Sequence, residues 1–174
     1  LQAGAMDFDD LLMRTAQLFR EHPDVLASWR HRFGHVLVDE YQDTNPVQND
    51  LVLQLAEEHR QVTVVGDSDQ SVYAFRGADI RNILEFEEAF PDATVVVLEQ
   101  NYRSTQSILD AANAVIARNV GRKPKELWSD KGSGDKIVRY HADDESDEAQ
   151  FVANELAKLH DHDHMRWGDM AVFY

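Results

Sequence analysis

An apolar run, a polar turn and a segment with helical spacing follow one another three times along this chain. The three predicted strands cover residues 36–39, 62–66 and 94–98, and each leads directly into a polar turn. Unbroken apolar runs of this length are typical of strands buried on both faces of a parallel sheet. A repeated strand–turn–helix unit predicts parallel strands joined by right-handed crossovers. The predicted fold class is therefore α/β, with a parallel sheet flanked by helices.

Helices are predicted around these strands from apolar residues at helical spacing and from capping residues. They begin at or near Asp7, Pro23, Pro46, Asp79, Ser104 and Ser146. Two more strands are predicted at residues 137–140 and 171–174. The strand–helix series restarts behind a polar hinge near residues 98–101, so we expect a domain boundary there, dividing residues 1–98 from residues 99–174.

Composition limits the classes of function that fit. The chain has 174 residues, no cysteine and a formal net charge of −15. The lack of cysteine rules out disulfides and thiolate metal sites within these residues, and it fits a cytoplasmic protein. No apolar stretch approaches the roughly 20 residues of a membrane span, so no membrane partner is expected. The acidic balance argues against non-specific adhesion to nucleic acid, so any DNA binding must depend on local geometry.

Two adjacent acids, Asp39 and Glu40, stand at the end of the first apolar run. The carboxyl ends of strands are where open α/β sheets place their ligands. In enzymes that hydrolyse nucleoside triphosphates, one such acid holds Mg²⁺ and the other activates the attacking water. Taken alone, the pair fits the start of a solvated loop better, and only the downstream turns favour the catalytic interpretation.

The turns after the second and third strands supply the other groups that phosphoryl transfer needs. Gln70 can contact a terminal phosphate, and Arg103 can neutralise charge that develops on the transferred group. Tyr102 can stack on a base. Because parallel strands end at one edge of a sheet, these turns are expected to converge on one ligand.

These turns resemble, in order and spacing, three motifs of the UvrD/PcrA/Rep-type superfamily 1 DNA helicases. Residues 38–45 (VDEYQDTN) resemble motif II, residues 66–78 (GDSDQSVYAFRGA) motif III, and residues 98–104 (LEQNYRS) motif IV. Residues 7–12 (DFDDLL) are similar to the segment that precedes motif II. The resemblance covers essentially the whole chain.

The resemblance implies a RecA-like parallel sheet of the P-loop NTPase type, with parts of two RecA-like domains. Residues 1–98 would be the later half of the first domain, with motifs II and III, and residues 99–174 the truncated start of the second, with motif IV. The implied activity is that of an ATP-dependent 3′-to-5′ DNA helicase of repair or replication. The implied cofactors are ATP and Mg²⁺. The implied partners are single-stranded DNA, junctions of single- and double-stranded DNA, and repair or replication proteins.

The same resemblance implies roles for the nucleotide-site residues. Asp39 matches the Mg²⁺ ligand, which acts through water, and Glu40 matches the catalytic base. Gln70 matches the glutamine that senses the γ-phosphate. Tyr102 matches the adenine-stacking tyrosine, and Arg103 matches the arginine finger of the second domain.

Tyr73, Phe75 and Arg76 match residues that meet single-stranded DNA or couple it to ATP. Many relatives have Trp where this chain has Phe75, which keeps a stacking face of smaller area. If residues 71–78 are extended, the i, i+2 spacing puts both rings on one side, and Gly77 lets the backbone pass close to the strand. Taken alone, the two aromatics are better explained as core residues.

The sequence contains no G-x-x-x-x-G-K-[S/T] loop, so nothing in it would cradle the β-phosphate. We therefore expect these 174 residues on their own to be inactive. Two alternatives are weighed against the helicase. One is a docking module of the same fold that has lost catalysis. The other is a carboxylate–metal hydrolase built from Asp39, Glu40, Asp67 and Asp69.

Two smaller features are left open by the sequence. Basic residues can line a phosphate path or belong to a solvated loop: Arg118, Arg122, Lys123, Lys125 and Lys131. The alternating histidines of residues 160–164 invite a zinc interpretation, but nothing nearby completes a tetrahedral site, so a flexible loop is favoured.

Overall fold

Parallel strands β1 (Val36–Val38) and β2 (Val62–Val64) form a small sheet in a helix-rich chain. The computed structural model describes residues 4–120 and 122–174. Within them the helices are α1 (Phe8–Glu21), α2 (Pro23–Arg32), α3 (Pro46–Ala56), α4 (Arg81–Leu84), α5 (Phe86–Ala89), α6 (Gln106–Ile116) and α7 (Glu145–Asp161). Short 3-10 turns cover Tyr41–Asp43, Ser68–Gln70, Ala74–Arg76 and Trp167–Asp169. The predicted α/β class is confirmed at this level.

The register of the two strands brings their carboxyl ends to one edge. Val36 lies opposite Val62, and Val38 lies opposite Val64. Backbone hydrogen bonds extend the pairing beyond the strands, from Val65 N to Val38 O at 2.8 Å and from Tyr41 N to Val65 O at 3.0 Å. The turns that follow β1 and β2 are therefore neighbours in space, as the sequence predicts.

Capping residues fix where the first helices begin. Asp7 caps α1 through a reciprocal pair of hydrogen bonds with Asp10. Asn45 caps α3 in the same way with Gln48, and Pro46 occupies the first turn. Such a reciprocal cap satisfies backbone N–H groups that the first helical turn leaves without partners. The predicted starts of both helices are confirmed.

The apolar core lies between α1, α2 and α3 and under the loop after β1. Its buried members are Ala16, Phe19, Leu26, Tyr41, Ala56 and Phe90, and Leu109 of α6 is buried as well. The Phe86 ring meets the Tyr41 ring edge-on at 5.7 Å and packs on Phe90 at 4.8 Å. Burial raises the pKa of Tyr41 to about 12, and its hydroxyl donates to Asn49 Oδ1. This cluster holds the turn after β1 in place.

The predicted strands at residues 94–98, 137–140 and 171–174 are wrong for the part of the chain that the structure describes. None of them is a strand there, and Leu98 is 76% exposed. β1 is not buried on both faces either, because Leu37 is 75% exposed. An apolar run reports a tendency to be buried, but a strand also needs a neighbour to pair its backbone groups. Near residue 98 the pairing is a single parallel bridge between Gln100 and Trp128.

Three helix boundaries also differ from prediction. Thr105 and Asp144, rather than Ser104 and Ser146, precede α6 and α7. Asp144 accepts hydrogen bonds from two backbone N–H groups of the first turn, which Ser146 cannot do because it already lies inside that turn. The single helix predicted from Asp79 is two short helices, α4 and α5.

Among the described residues, no helix is both long and apolar enough to cross a membrane.

Candidate nucleotide and DNA site

The predicted metal ligand and base lie at the sharp turn that ends β1. Both Asp39 and Glu40 are exposed, and Asp39 Oδ1 accepts a hydrogen bond from Glu40 N at 2.9 Å. Glu40 has φ 50° and ψ 42°, which is the left-handed region. A residue other than glycine in this backbone conformation costs on the order of 1–3 kcal/mol, and residues strained in this way cluster at functional sites. The strained residue of this turn is thus the predicted base itself.

Gln42 holds the Glu40 carboxylate. Its side chain is 1% exposed, and its Nε2 donates to Glu40 Oε2 at 2.8 Å and to Asp43 Oδ2 at 3.3 Å. Its Oε1 accepts a hydrogen bond from Asp67 N at 2.9 Å. One buried amide thus joins the turn after β1 to the turn after β2. Sequence reasoning missed Gln42, because its burial depends on a contact across the two turns.

Gly66 makes this approach possible. A Cβ at Gly66 would lie 2.6 Å from Gln42 Oε1, 2.8 Å from Ile83 Cδ1 and 3.1 Å from Tyr41 N. Contacts at the first two distances are essentially never seen for a real Cβ. Glycine lets the two turns pack this closely, because a Cβ here would have to displace the ends of the Gln42 and Ile83 side chains.

The turn after β2 presents Gln70. Asp67 precedes the 3-10 turn Ser68–Gln70, and its carboxylate accepts from Asp69 N at 2.9 Å and from Gln70 Nε2 at 2.8 Å. Gln70 is exposed, so its amide is accessible from solvent. The predicted sensor is thus held by the carboxylate of Asp67, and the backbone N–H of Asp67 donates to Gln42.

Two basic residues, Arg122 and Lys125, form ion pairs with the turn after β2. Arg122 binds Asp69 through two hydrogen bonds of 3.0 and 2.7 Å. Lys125 Nζ binds the Asp67 carboxylate and lies 3.4 Å from Asp69 Oδ2. The hydrogen bond from Arg122 holds the pKa of Asp69 below its ordinary value. At Asp67, burial acts to raise the pKa, but hydrogen bonds from Lys125, Gln70 and Asp69 N outweigh it, so this pKa is lowered too.

The predicted DNA-contacting residues form an exposed cluster. The rings of Tyr73 and Phe75 lie 6.0 Å apart, and Phe75 is 77% exposed. The Arg76 guanidinium lies over both rings, at 5.3 Å and 5.4 Å. The core alternative for Phe75 is therefore wrong in this structure.

The condition that residues 71–78 are extended is not met in this cluster. Ala74–Arg76 is a 3-10 turn, which brings the two rings together without i, i+2 alternation. Gly77 ends the turn with φ 84°, a left-handed conformation that glycine adopts without a steric penalty. The requirement for glycine at this position comes from the turn.

Tyr102 and Arg103 lie on a loop organised by Asn101. Asn101 Oδ1 accepts from Arg103 N at 2.9 Å and from Ser104 N at 2.8 Å. The Tyr102 hydroxyl donates to Gln100 Oε1 at 2.9 Å, and both Tyr102 and Arg103 are exposed. Among the described residues, no hydrogen bond joins Tyr102 or Arg103 to the turns after β1 and β2.

The donor set fits Mg²⁺ held mainly by water and phosphate. Among residues 4–120 and 122–174, no three His, Cys, Asp or Glu side chains lie close enough to hold a metal ion by themselves. Mg²⁺ usually takes one or two protein carboxylates and completes its octahedron with waters and substrate phosphates. One exposed carboxylate at a strand end, Asp39, meets that need.

Asp67 and Asp69 do not extend this carboxylate pair. Both are neutralised by Arg122 and Lys125, which disfavours the alternative of a hydrolase that uses all four acids for metal. Two other basic residues of this stretch also have partners within the chain. Lys123 binds Glu87, and Lys131 Nζ donates to the Arg103 carbonyl at 3.2 Å.

The histidine stretch lies at the end of α7. His160 belongs to that helix, and its Nδ1 lies 2.7 Å from Met165 O. Its ring stacks on Trp167 at 4.4 Å. The favoured interpretation as a flexible loop is therefore wrong for His160, which is helical and has two partners.

Acidic, amide and basic side chains converge where parallel strands end, which is the arrangement of an α/β protein that binds a ligand at the sheet edge. Residues 1–91 match the UvrD/REP helicase N-terminal domain, and residues 96–174 match the UvrD-like helicase C-terminal domain. The chain belongs to the UvrD/REP helicase family. The division near residue 98 stays a prediction.

Similar proteins carry helicase names. The chain is 52% identical over 179 residues to ATP-dependent DNA helicase UvrD1 of Mycobacterium tuberculosis (strain ATCC 25618 / H37Rv), covering 99% of the chain and 23% of that protein. It is 51% identical over 174 residues to ATP-dependent DNA helicase PcrA of Bacillus subtilis (strain 168), covering 100% of the chain and 24% of that protein. The chain therefore spans about a quarter of the length of these relatives.

Proposed function

We propose that this chain contributes the catalytic acids and the nucleotide sensor of an ATP-driven helicase that moves 3′ to 5′ on single-stranded DNA. One observation carries the proposal: a continuous hydrogen-bond path runs from Glu40 through Gln42 and Asp67 to Gln70. It joins the predicted base to the predicted γ-phosphate sensor. The relatives are named as ATP-dependent DNA helicases, and these names support the same activity.

In this proposal Glu40 orients the attacking water and accepts its proton. Its strained backbone and the hydrogen bond from Gln42 hold the carboxylate in one orientation. Asp39 would hold Mg²⁺ through water, and the bound ion would neutralise charge on the phosphates. Tyr102 stacks on adenine, and Arg103 stabilises charge on the transferred group from the second part of the chain.

In the same proposal, DNA acts on the segment that follows the turn carrying Gln70. Tyr73 and Phe75 offer ring faces for successive bases, and base–aromatic stacking tolerates any sequence. The backbone runs directly from residues 67–70, which we call the sensor turn, through residues 71–72 to Tyr73. A base that stacks on the rings and moves them therefore also strains the sensor turn.

The DNA substrate, the physiological context and the location that we propose follow from helicase activity. Junctions of single- and double-stranded DNA are the substrate of unwinding, and repair or replication supplies the physiological context. A cytoplasmic location belongs to the same proposal, because ATP and the DNA substrate are found there. The 174 residues on their own are expected to be inactive, since they contain no phosphate-binding glycine loop.

A chimeric helicase tests this proposal. In it the chain replaces the matching segment of the Bacillus subtilis relative, which aligns over 174 residues. We expect DNA-stimulated ATP turnover and unwinding of a duplex with a 3′ single-stranded tail, but not of one with a 5′ tail. A folded chimera that binds ATP without DNA-stimulated turnover would contradict the proposal, and so would DNA-stimulated turnover by the 174-residue chain alone.

A further inference from the structure

The segment of residues 122–128 contacts both the sensor turn and the loop that carries Tyr102 and Arg103. At one end of the segment, Arg122 and Lys125 bind Asp69 and Asp67. At the other end, Trp128 N donates to Glu99 O at 3.0 Å and Asn101 N donates to Trp128 O at 2.7 Å. We call residues 122–128 the bridging segment.

The bridging segment is itself fixed to α6. Asn113 Nδ2 donates to Leu127 O at 2.8 Å, and Leu127 N donates to Asn113 Oδ1 at 3.2 Å. Arg122 Nη2 also donates to the carbonyl of Lys125 at 3.2 Å, which holds the two basic residues together. The segment thus presents both cations from an anchored backbone.

The ion pairs with the sensor turn are partly buried. Arg122 is 17% exposed and Asp69 is 10% exposed, and two parallel hydrogen bonds join them. Paired hydrogen bonds of this kind fix orientation as well as distance. Removing one partner leaves the other charge poorly solvated, so the turn must rearrange. The neighbouring pair of Lys123 and Glu87 is about half exposed on both sides and lacks this constraint.

We propose that Arg122 and Lys125 are positioning residues that hold the Gln70 turn in register with the loop carrying Arg103. Asp67 is the link, because its carboxylate binds Lys125 and Gln70 while its backbone N–H binds Gln42. This inference rests on the proposed function of Gln70 and Arg103. It adds that basic residues outside the three motifs set the geometry of the sensor.

The first test is a double-mutant cycle in the 174-residue chain. Urea unfolding is measured for Arg122→Gln, Asp69→Asn and the double variant, with Lys123→Gln and Glu87→Gln as the matched control pair. We expect the Arg122 and Asp69 effects to be strongly non-additive and the control effects to be small. Additive effects at Arg122 and Asp69 would overturn the proposal, because the pair would then not be formed in solution.

The second test is ATP turnover by the chimeric helicase carrying Arg122→Gln or Lys125→Gln. The DNA-stimulated kcat should fall about ten- to a hundredfold, the range expected for a displaced group, while the KM for ATP changes little. Arg122→Lys keeps the charge but not the paired geometry, so its kcat should lie between those of wild type and Arg122→Gln. Lys123→Gln should match wild type. A wild-type kcat for Arg122→Gln, or a KM effect alone, would overturn the proposal.

Gln70→Ala in the same chimera separates the sensor role from the positioning role. If Gln70→Ala leaves turnover intact, the proposed sensor role fails. If Gln70→Ala lowers kcat and Arg122→Gln does not, the sensor stands and only the positioning role fails.

Discussion

Gln42 accepts a hydrogen bond from the backbone N–H of Asp67 at 2.9 Å, across 25 residues of sequence. The same amide donates to Glu40 at 2.8 Å. Since Gln42 is fully buried and its donors and acceptors are both used, neither turn can shift without breaking one of these bonds. The geometry of Glu40 and the geometry of the Gln70 turn therefore depend on one side chain.

Gly66→Ala tests the close packing of these turns. The added Cβ would overlap Gln42 Oε1 and Ile83 Cδ1, so we expect a loss of about 1–3 kcal/mol in the free energy of unfolding. Urea unfolding of the chain measures it. Gly34→Ala is the matched control, because a Cβ there meets nothing within 4 Å. Equal stability of the two variants would show that the turns are not packed as described.

The carboxylates bound by Arg122 and Lys125 predict a pH dependence of stability. Both Asp67 and Asp69 have pKa values below the ordinary 3.8 in the folded chain. Their contribution to stability is therefore complete above that value and is lost as the pH falls through the lowered pKa values. The advantage of wild type over the Arg122→Gln, Lys125→Gln double variant should shrink below about pH 4.

Urea unfolding of both proteins at a series of pH values measures this advantage. The comparison with the variant matters, because the net charge of −15 also changes stability as the acids are protonated. A difference between the two proteins that stays constant from neutral to acid pH would contradict the prediction.

Phe75→Ala tests the exposed aromatic cluster. Base–aromatic stacking contributes about 1–3 kcal/mol, so this change should weaken single-strand binding by the chimera roughly five- to a hundredfold. Phe75→Trp should preserve or strengthen binding. Fluorescence anisotropy with a short oligonucleotide at fixed salt measures the affinity.

Thermal unfolding of the same variants supplies the control. Because Phe75 is 77% exposed, Phe75→Ala should leave the melting temperature nearly unchanged. Phe8→Ala removes another exposed ring, outside the predicted DNA turn, and should change neither quantity. If Phe75→Ala lowers the melting temperature and leaves affinity intact, stacking is not its role.

Local patterns in the sequence are enough to predict both strands and the starts of the first helices. Apolar runs predicted β1 and β2, and capping residues predicted the starts of α1 and α3. The juxtaposition of the turns after β1 and β2 followed from the shared direction of parallel strands. Asp39, Glu40 and Gln70 were thus predicted to lie at one edge.

Contacts between distant segments set the rest, and no local pattern reports them. Residues 94–98 have the composition of a strand, but strand formation depends on a neighbour that the sequence of the run does not encode. The burial of Gln42 depends on Asp67, and the pairing of Arg122 depends on Asp69. Such pairs become visible only when both partners are placed in space.

We propose Glu40 as the base of an ATP-hydrolysing site, and one substitution tests this role directly. Glu40→Gln keeps the shape of the side chain but removes the proton acceptor, so DNA-stimulated turnover by the chimera should fall about 10²–10⁴-fold. Nucleotide affinity, measured with a fluorescent ATP analogue, should stay near wild type. Turnover near wild type in Glu40→Gln would show that Glu40 is not the base, and loss of nucleotide affinity would assign Glu40 to metal binding instead.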